Sequence, residues 1–106
     1  GAKALEAFVA DIFASAGCSK EEGGRIGRYL VSANLSGHDS HGVVRVPRYA
    51  AQKKQGTVVA DVKVDVLVDT PAIAVVDGKY GFGQTVTPQA VQIGIERGDM
   101  CGSIVV

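Results

Sequence analysis

The sequence has no surplus of either charge. Eleven basic residues are offset by eleven acidic ones, for a formal net charge of zero. A nucleic-acid binder or a membrane-surface protein carries a one-signed electrostatic footprint, so this balance argues against both partners. Long apolar runs are missing too, since no stretch approaches the ~20 residues that span a bilayer. The first residues lack the basic, apolar, small-residue order of a signal peptide, and a cytoplasmic location is expected. Cysteine is scarce. Cys18 and Cys101 lie far apart with no CxxC or CxH spacing, which in a reducing compartment reads as two free thiols rather than a bridge.

What is present describes one small unit of mixed α/β class: a helical hairpin, then the start of a β-sheet with a covering helix. Leu5, Phe8, Val9, Ile12 and Phe13 repeat with helical period. Gly17 stops that helix. Ser19 and Glu22 have the form of a capping box opening a second helix, whose apolar members are Ile26, Leu30, Ala33 and Val31, with Gly37 as the stop. Gly23, Gly24 and Gly27 weaken it by up to ~1 kcal/mol each against Ala, a cost tolerated where another backbone packs closely. A helical segment over 40–55 follows, in which Pro47 should introduce a kink.

After Gly56 the period changes to that of a strand. Val62, Val64, Val66 and Val68 alternate with Lys63, Asp65 and Leu67. Residues 69–71 turn the chain into a second, more fully buried strand over 72–76. A helix from about Thr85 to Arg97, with Val86, Ala90 and Ile93 on one face, ends at Gly98. Ser103 to Val106 then reads as a buried strand with neither turn nor polar tail after it, an edge that needs covering. The expectation is therefore an incomplete unit: residues 1–57 as a helical segment, and 58–106 as the start of an α/β domain. Alone, such a chain should be unstable, aggregated or bound to another chain.

The densest chemistry lies between His38 and Tyr49. Both histidines, an acid, a hydroxyl and two arginines fall there. In a helix from about Ser40, His41, Arg45 and Arg48 would share one face. Arginine grips a carboxylate with a planar fork, and histidine can protonate a carbonyl oxygen near neutral pH. The plain alternative makes the arginines solvated surface charges and His41 a turn cap. Ser40 as a nucleophile with His41 as base is disfavoured, because adjacent side chains diverge by about a hundred degrees on a helix. A metal site on His38 and His41 lacks plain further ligands, so no metal is expected.

A second candidate is the run Gly78 to Gln84 between strand and helix, where exposed backbone N–H groups could hold phosphate. The dinucleotide fingerprint fails at its third glycine, where Val86 stands, and no Walker lysine-serine pair follows. Turn geometry and close packing are the preferred account of these glycines.

The run from Asn34 to Tyr49, with Asp39-Ser40-His41-Gly42 at its heart, closely resembles the signature of the malate/L-lactate dehydrogenase family that lacks a Rossmann fold. That family includes ureidoglycolate, sulfolactate and 2,3-diketogulonate dehydrogenases and the piperideine-2-carboxylate reductases. The likeness extends along the valine-rich hairpin, Gly81-Phe82-Gly83-Gln84, and the final Gly102 to Val106. It implies an NAD- or NADP-dependent oxidoreductase interconverting a 2-hydroxy (or amino) acid and a 2-oxo (or imino) acid. It further implies His41 as proton donor, Ser40 in a relay with a later aspartate, and Arg45 on the substrate carboxylate. The aspartate and nearly all cofactor contacts would lie beyond Val106, and the expected assembly is a homodimer of the full-length protein. The competing class is a non-catalytic truncated module serving only assembly.

Overall fold

The computed structural model describes residues 1–101, so the strand expected near Ser103 lies outside the described residues. Helix α1 (Ala2–Ser15) and helix α2 (Lys20–Leu35) form the hairpin. Gly17 and Gly37 end them at φ +109° and +81°, values that favour glycine. A Cβ on Gly23 would lie 2.8 Å from the carbonyl oxygen of Ala10, and one on Gly27 2.8 Å from that of Glu6. The helices are therefore antiparallel and in near-backbone contact, the close packing that the glycines predicted. Gly24 takes no part; its nearest neighbour would be the flexible Arg28 guanidinium at 3.9 Å.

Val9 and Phe13 face inward from α1, and Ile26, Leu30 and Val31 from α2. The expected stripe on α1 is only partly right. Phe8 is 63% exposed and Leu5 lies outside the core as well, because α2 covers a narrower arc of α1 than its apolar residues span.

Two 3₁₀ turns, Asp39–His41 and Val43–Arg45, lead into helix α3 (Val46–Gln55). Pro47 falls at the start of α3 instead of kinking a longer helix, where its missing N–H costs nothing. Strands β1 (Asp65–Asp69) and β2 (Ala74–Asp77) then pair antiparallel, with an irregularity between Val66 and Val68. The hairpin is where the alternation put it. Its burial is not: every residue of β1 is exposed, as are Val75 of β2 and Ile73 just before it. No described element covers that face of the ribbon. Val62 belongs to the approach to β1 and is buried, while Gln89 bonds the backbone of Val62 and Val64.

Helix α4 (Gly83–Cys101) starts earlier than expected, includes Pro88 and runs through Gly98 without stopping. Glycine costs a helix ~1 kcal/mol and does not terminate it unless the backbone turns left-handed there. Just before α4, Phe82 enters the core edge-on to Phe13, with ring centroids 5.8 Å apart, and lies 6.2 Å from Tyr49. That ring joins the α1/α2 hairpin, α3 and the glycine-flanked loop into one core. Among the described residues no helix is long and apolar enough to cross a membrane.

Candidate active site

The two motifs singled out in the sequence, separated by some forty residues, meet at one cavity. His41 lines it from the 3₁₀ turn, and Gly81, Phe82, Gly83 and Gln84 line it from the loop before α4. Leu30, Tyr29, Tyr49, Val58, Pro88 and Val91 make the rest of the wall largely apolar, with Gln52 and Thr87 as polar members, around about 570 Å³, a volume usual for small-molecule sites. The glycines do serve packing, as expected: a Cβ on Gly81 would approach Val86 to 2.7 Å and Val62 to 2.9 Å. They also set one wall of the cavity, which the failed phosphate fingerprint gave no reason to expect.

The histidine turn is held by short-range bonds. Ser40 Oγ and His41 Nδ1 lie 3.1 Å apart. This corrects the angular argument against a contact between neighbours: in an isolated 3₁₀ turn a short hydroxyl side chain can fold along the backbone to the adjacent ring, which a continuous helix would prevent. Arg45 Nε donates to the Ser40 carbonyl oxygen at 2.7 Å, so Arg45 returns to the turn that carries His41. His38 stacks edge-on to His41, 6.5 Å between centroids. The common face drawn for His41, Arg45 and Arg48 does not form as drawn, because Gly42 at φ −95°, ψ −149° breaks the helix between them. Neither arginine is among the residues lining the cavity, and Arg48 is exposed.

Two supports went unread in the sequence. Asn34, in the last turn of α2, bonds both Asp39 and the backbone of Val43. Glu22 was read as a capping residue, and Ser19 Oγ does accept from its backbone N–H at 3.1 Å. The Glu22 carboxylate, however, does not turn back to Ser19. It is 1% exposed, accepts from the Asp61 N–H at 2.8 Å, and accepts a hydrogen bond from the Thr85 hydroxyl at its other oxygen. Asp61 supplies the bond to the Ser19 N–H instead, at 2.8 Å. Arg25 donates to Thr85 at 3.0 Å. This chain of bonds ties the first turn of α4, and with it the cavity wall, to α2. Beside it, burial and then the neighbouring Glu22 carboxylate push the Cys18 thiol from its usual 9.0 to about 12.

A sequence profile of the malate/L-lactate dehydrogenase family matches residues 1–106. The chain belongs to that family.

The chain is 31% identical over 101 residues to hydroxycarboxylate dehydrogenase B of Escherichia coli, covering 95% of this chain and 28% of that protein. It is 31% identical over 95 residues to the L-sulfolactate dehydrogenase of Methanocaldococcus jannaschii, covering 90% and 28%. The solved malate dehydrogenase of Pyrococcus horikoshii superimposes with a TM-score of 0.86 at 30% identity, over 92% of this chain and 28% of that one. The resemblance stated from Asp39-Ser40-His41-Gly42 is thereby confirmed, as is a fold outside the Rossmann type expected of its first third. The dehydrogenase-family chain spans less than a third of the length of these relatives.

Proposed function

We propose that the full-length protein carrying these residues is an NAD- or NADP-dependent 2-oxo acid reductase and 2-hydroxy acid dehydrogenase, with His41 as its proton donor. The observation that carries this reading is the position of His41. It lines an apolar cavity, and a hydroxyl on its Nδ1 leaves the other ring nitrogen for a ligand. A non-catalytic module has no use for that arrangement. Relatives named as dehydrogenases of malate, sulfolactate and hydroxycarboxylates support a small carboxylated substrate.

The cavity suits the ring end of a nicotinamide cofactor: its volume admits a flat ring beside a small acid, and Tyr49, Phe82 and Pro88 offer flat apolar surface. The chain covers 28% of the length of these relatives, and we assign the remainder of the cofactor to the part of the full-length protein that this chain does not include. When bound, the cofactor supplies hydride to C2 of the substrate. The residues of this chain do the rest. His41, as imidazolium, gives a proton to the oxygen or nitrogen on C2, and as neutral imidazole removes it in the reverse direction. Ser40 orients the ring through Nδ1. Arg45 lies outside the cavity wall, but its Nε bond to the Ser40 carbonyl holds it at the turn of His41, and we assign its outer nitrogens to a substrate carboxylate that extends from the cavity mouth.

The test is oxidation of NADH or NADPH by the full-length enzyme with open-chain 2-oxo acids and cyclic 2-imino acids. Substitution His41→Ala should lower kcat by about 10²–10⁴-fold with cofactor affinity intact. Near-wild-type turnover in His41→Ala would end the assignment.

A further inference from the structure

We propose that Asn34 is a positioning residue for His41: one carboxamide clamps both ends of the turn that presents the imidazole to the cavity. The proposal rests on the assignment of His41 as proton donor.

The clamp is visible atom by atom. Asn34 Nδ2 donates to Asp39 Oδ1 at 2.8 Å, and Asn34 Oδ1 accepts from the Val43 N–H at 2.9 Å. Asp39 begins the first 3₁₀ turn and Val43 begins the second, so His41 lies between two points held by one planar group. Gly42 closes over the same amide. A Cβ at that position would lie 2.1 Å from Asn34 Oδ1 and 2.4 Å from its Cγ, so the turn seats on Asn34 only because residue 42 has no side chain. The amide is itself anchored by α2, whose end is sealed by the His38 N–H on the Ala33 carbonyl at 2.8 Å.

The chemistry of the clamp demands a carboxamide. It needs a donor toward a carboxylate and an acceptor toward a backbone N–H on one rigid group, and among side chains of this length only asparagine has both. Aspartate would set two carboxylates against each other, and alanine would leave the Val43 N–H without its acceptor. Asp39, Ser40 and His41 are all exposed and so receive little positioning from packing. Bonds within the turn and Arg45 Nε on Ser40 also hold it, but Arg45 is assigned to substrate, and Asn34 alone bonds both Asp39 and Val43 among the described residues. Asn34 does not line the cavity, so it acts through His41 and not on the ligand.

The experiment compares four forms of the full-length enzyme: wild type, Asn34→Ala, Asn34→Asp, and the double variant N34D/D39N. The double variant reverses donor and acceptor across the pair while keeping an acceptor for the Val43 N–H. Steady-state kinetics are read together with hydrogen exchange at the Val43 amide. Both single variants should lose about 10- to 100-fold in kcat, the cost of a misplaced catalytic group, with the cofactor KM unchanged, and Val43 should exchange faster in Asn34→Ala, which has no acceptor for it. The double variant should recover most of the kcat and keep the Val43 protection. A purely structural role would lower stability without a selective loss of kcat, so denaturant unfolding of each variant, read beside the unchanged cofactor KM, separates positioning from mere stability. Full turnover in Asn34→Ala, alongside an inactive His41→Ala, overturns the proposal and leaves the reductase reading standing. A double variant no better than Asn34→Asp also overturns it. If wild type reduces no 2-oxo or 2-imino acid, the reductase reading fails, and Val43 exchange still decides the clamp. Unchanged protection in Asn34→Ala then refutes it, and accelerated exchange upholds it.

Discussion

The Glu22 carboxylate accepts a hydrogen bond from the backbone N–H of Asp61, while the Asp61 carboxylate accepts the Ser19 N–H that Glu22 would serve in an ordinary capping box. Two acids have exchanged partners across 39 residues of chain. The helix start is still capped, and the exchange joins α2 to the segment entering the sheet.

Loss of that junction should be costly. In Glu22→Ala the Asp61 N–H and the buried Thr85 hydroxyl lose a charged acceptor, at about 1.5–3 kcal/mol. Glu22→Gln keeps an acceptor for Asp61 and should lose less. Denaturant unfolding of the full-length protein orders the two variants; equal stability of Glu22→Ala and wild type would show that the bonds contribute nothing.

The glycines of α2 should respond with opposite signs to one substitution. Gly24→Ala would meet only the flexible Arg28 guanidinium at 3.9 Å and should stabilise by roughly 0.5–1 kcal/mol through helix propensity. Gly27→Ala meets the backbone oxygen of Glu6 at 2.8 Å and should destabilise by roughly 1–3 kcal/mol as the hairpin is forced apart. Melting curves of the two variants decide the matter, and a shared sign would mean that the interhelix contact is looser than described.

Arg45→Lys keeps the charge but not the planar fork, and should chiefly raise KM for the 2-oxo acid. Arg45→Ala should do so more severely, with ~1.5–3 kcal/mol of carboxylate interaction removed. Kinetics with graded substrate concentrations test both. A solvated surface arginine would leave KM where it was.

Cys18 should resist thiol reagents at mildly alkaline pH, because its thiolate forms only near about 12 in the folded protein. The folded form holds this proton more tightly than the unfolded chain. The associated stability is thus fully present below the ordinary 9.0 and is lost as pH rises toward about 12. Labelling rates in a Cys101→Ser background, with and without denaturant, provide the check. Rapid labelling of the folded form at pH 8 would contradict the burial.

Much of this was legible before any coordinates. Helical period and glycine stops placed the α1/α2 hairpin, since both act within a few residues. Valine alternation placed the β-hairpin, and the motif around His41 pointed to the family. Local rules failed where two of them competed. Such rules make Gly98 a stop, yet α4 passes through it, and make Pro47 a kink, yet it begins α3. The apolar stripe of α1 extended past the part that α2 covers.

The sequence by itself determined the backbone period of each segment and the residue types available for chemistry, because φ preferences and side-chain spacing are properties of neighbours. Only the tertiary structure decided which partner each polar group took. Glu22 finds Asp61 and Thr85, Asn34 finds Val43, and Phe82 brings the glycine-flanked loop to the cavity lined by His41. The reason is physical: a buried donor or acceptor must be satisfied by whatever the packed core brings within about 3 Å, and sequence distance says little about what that will be.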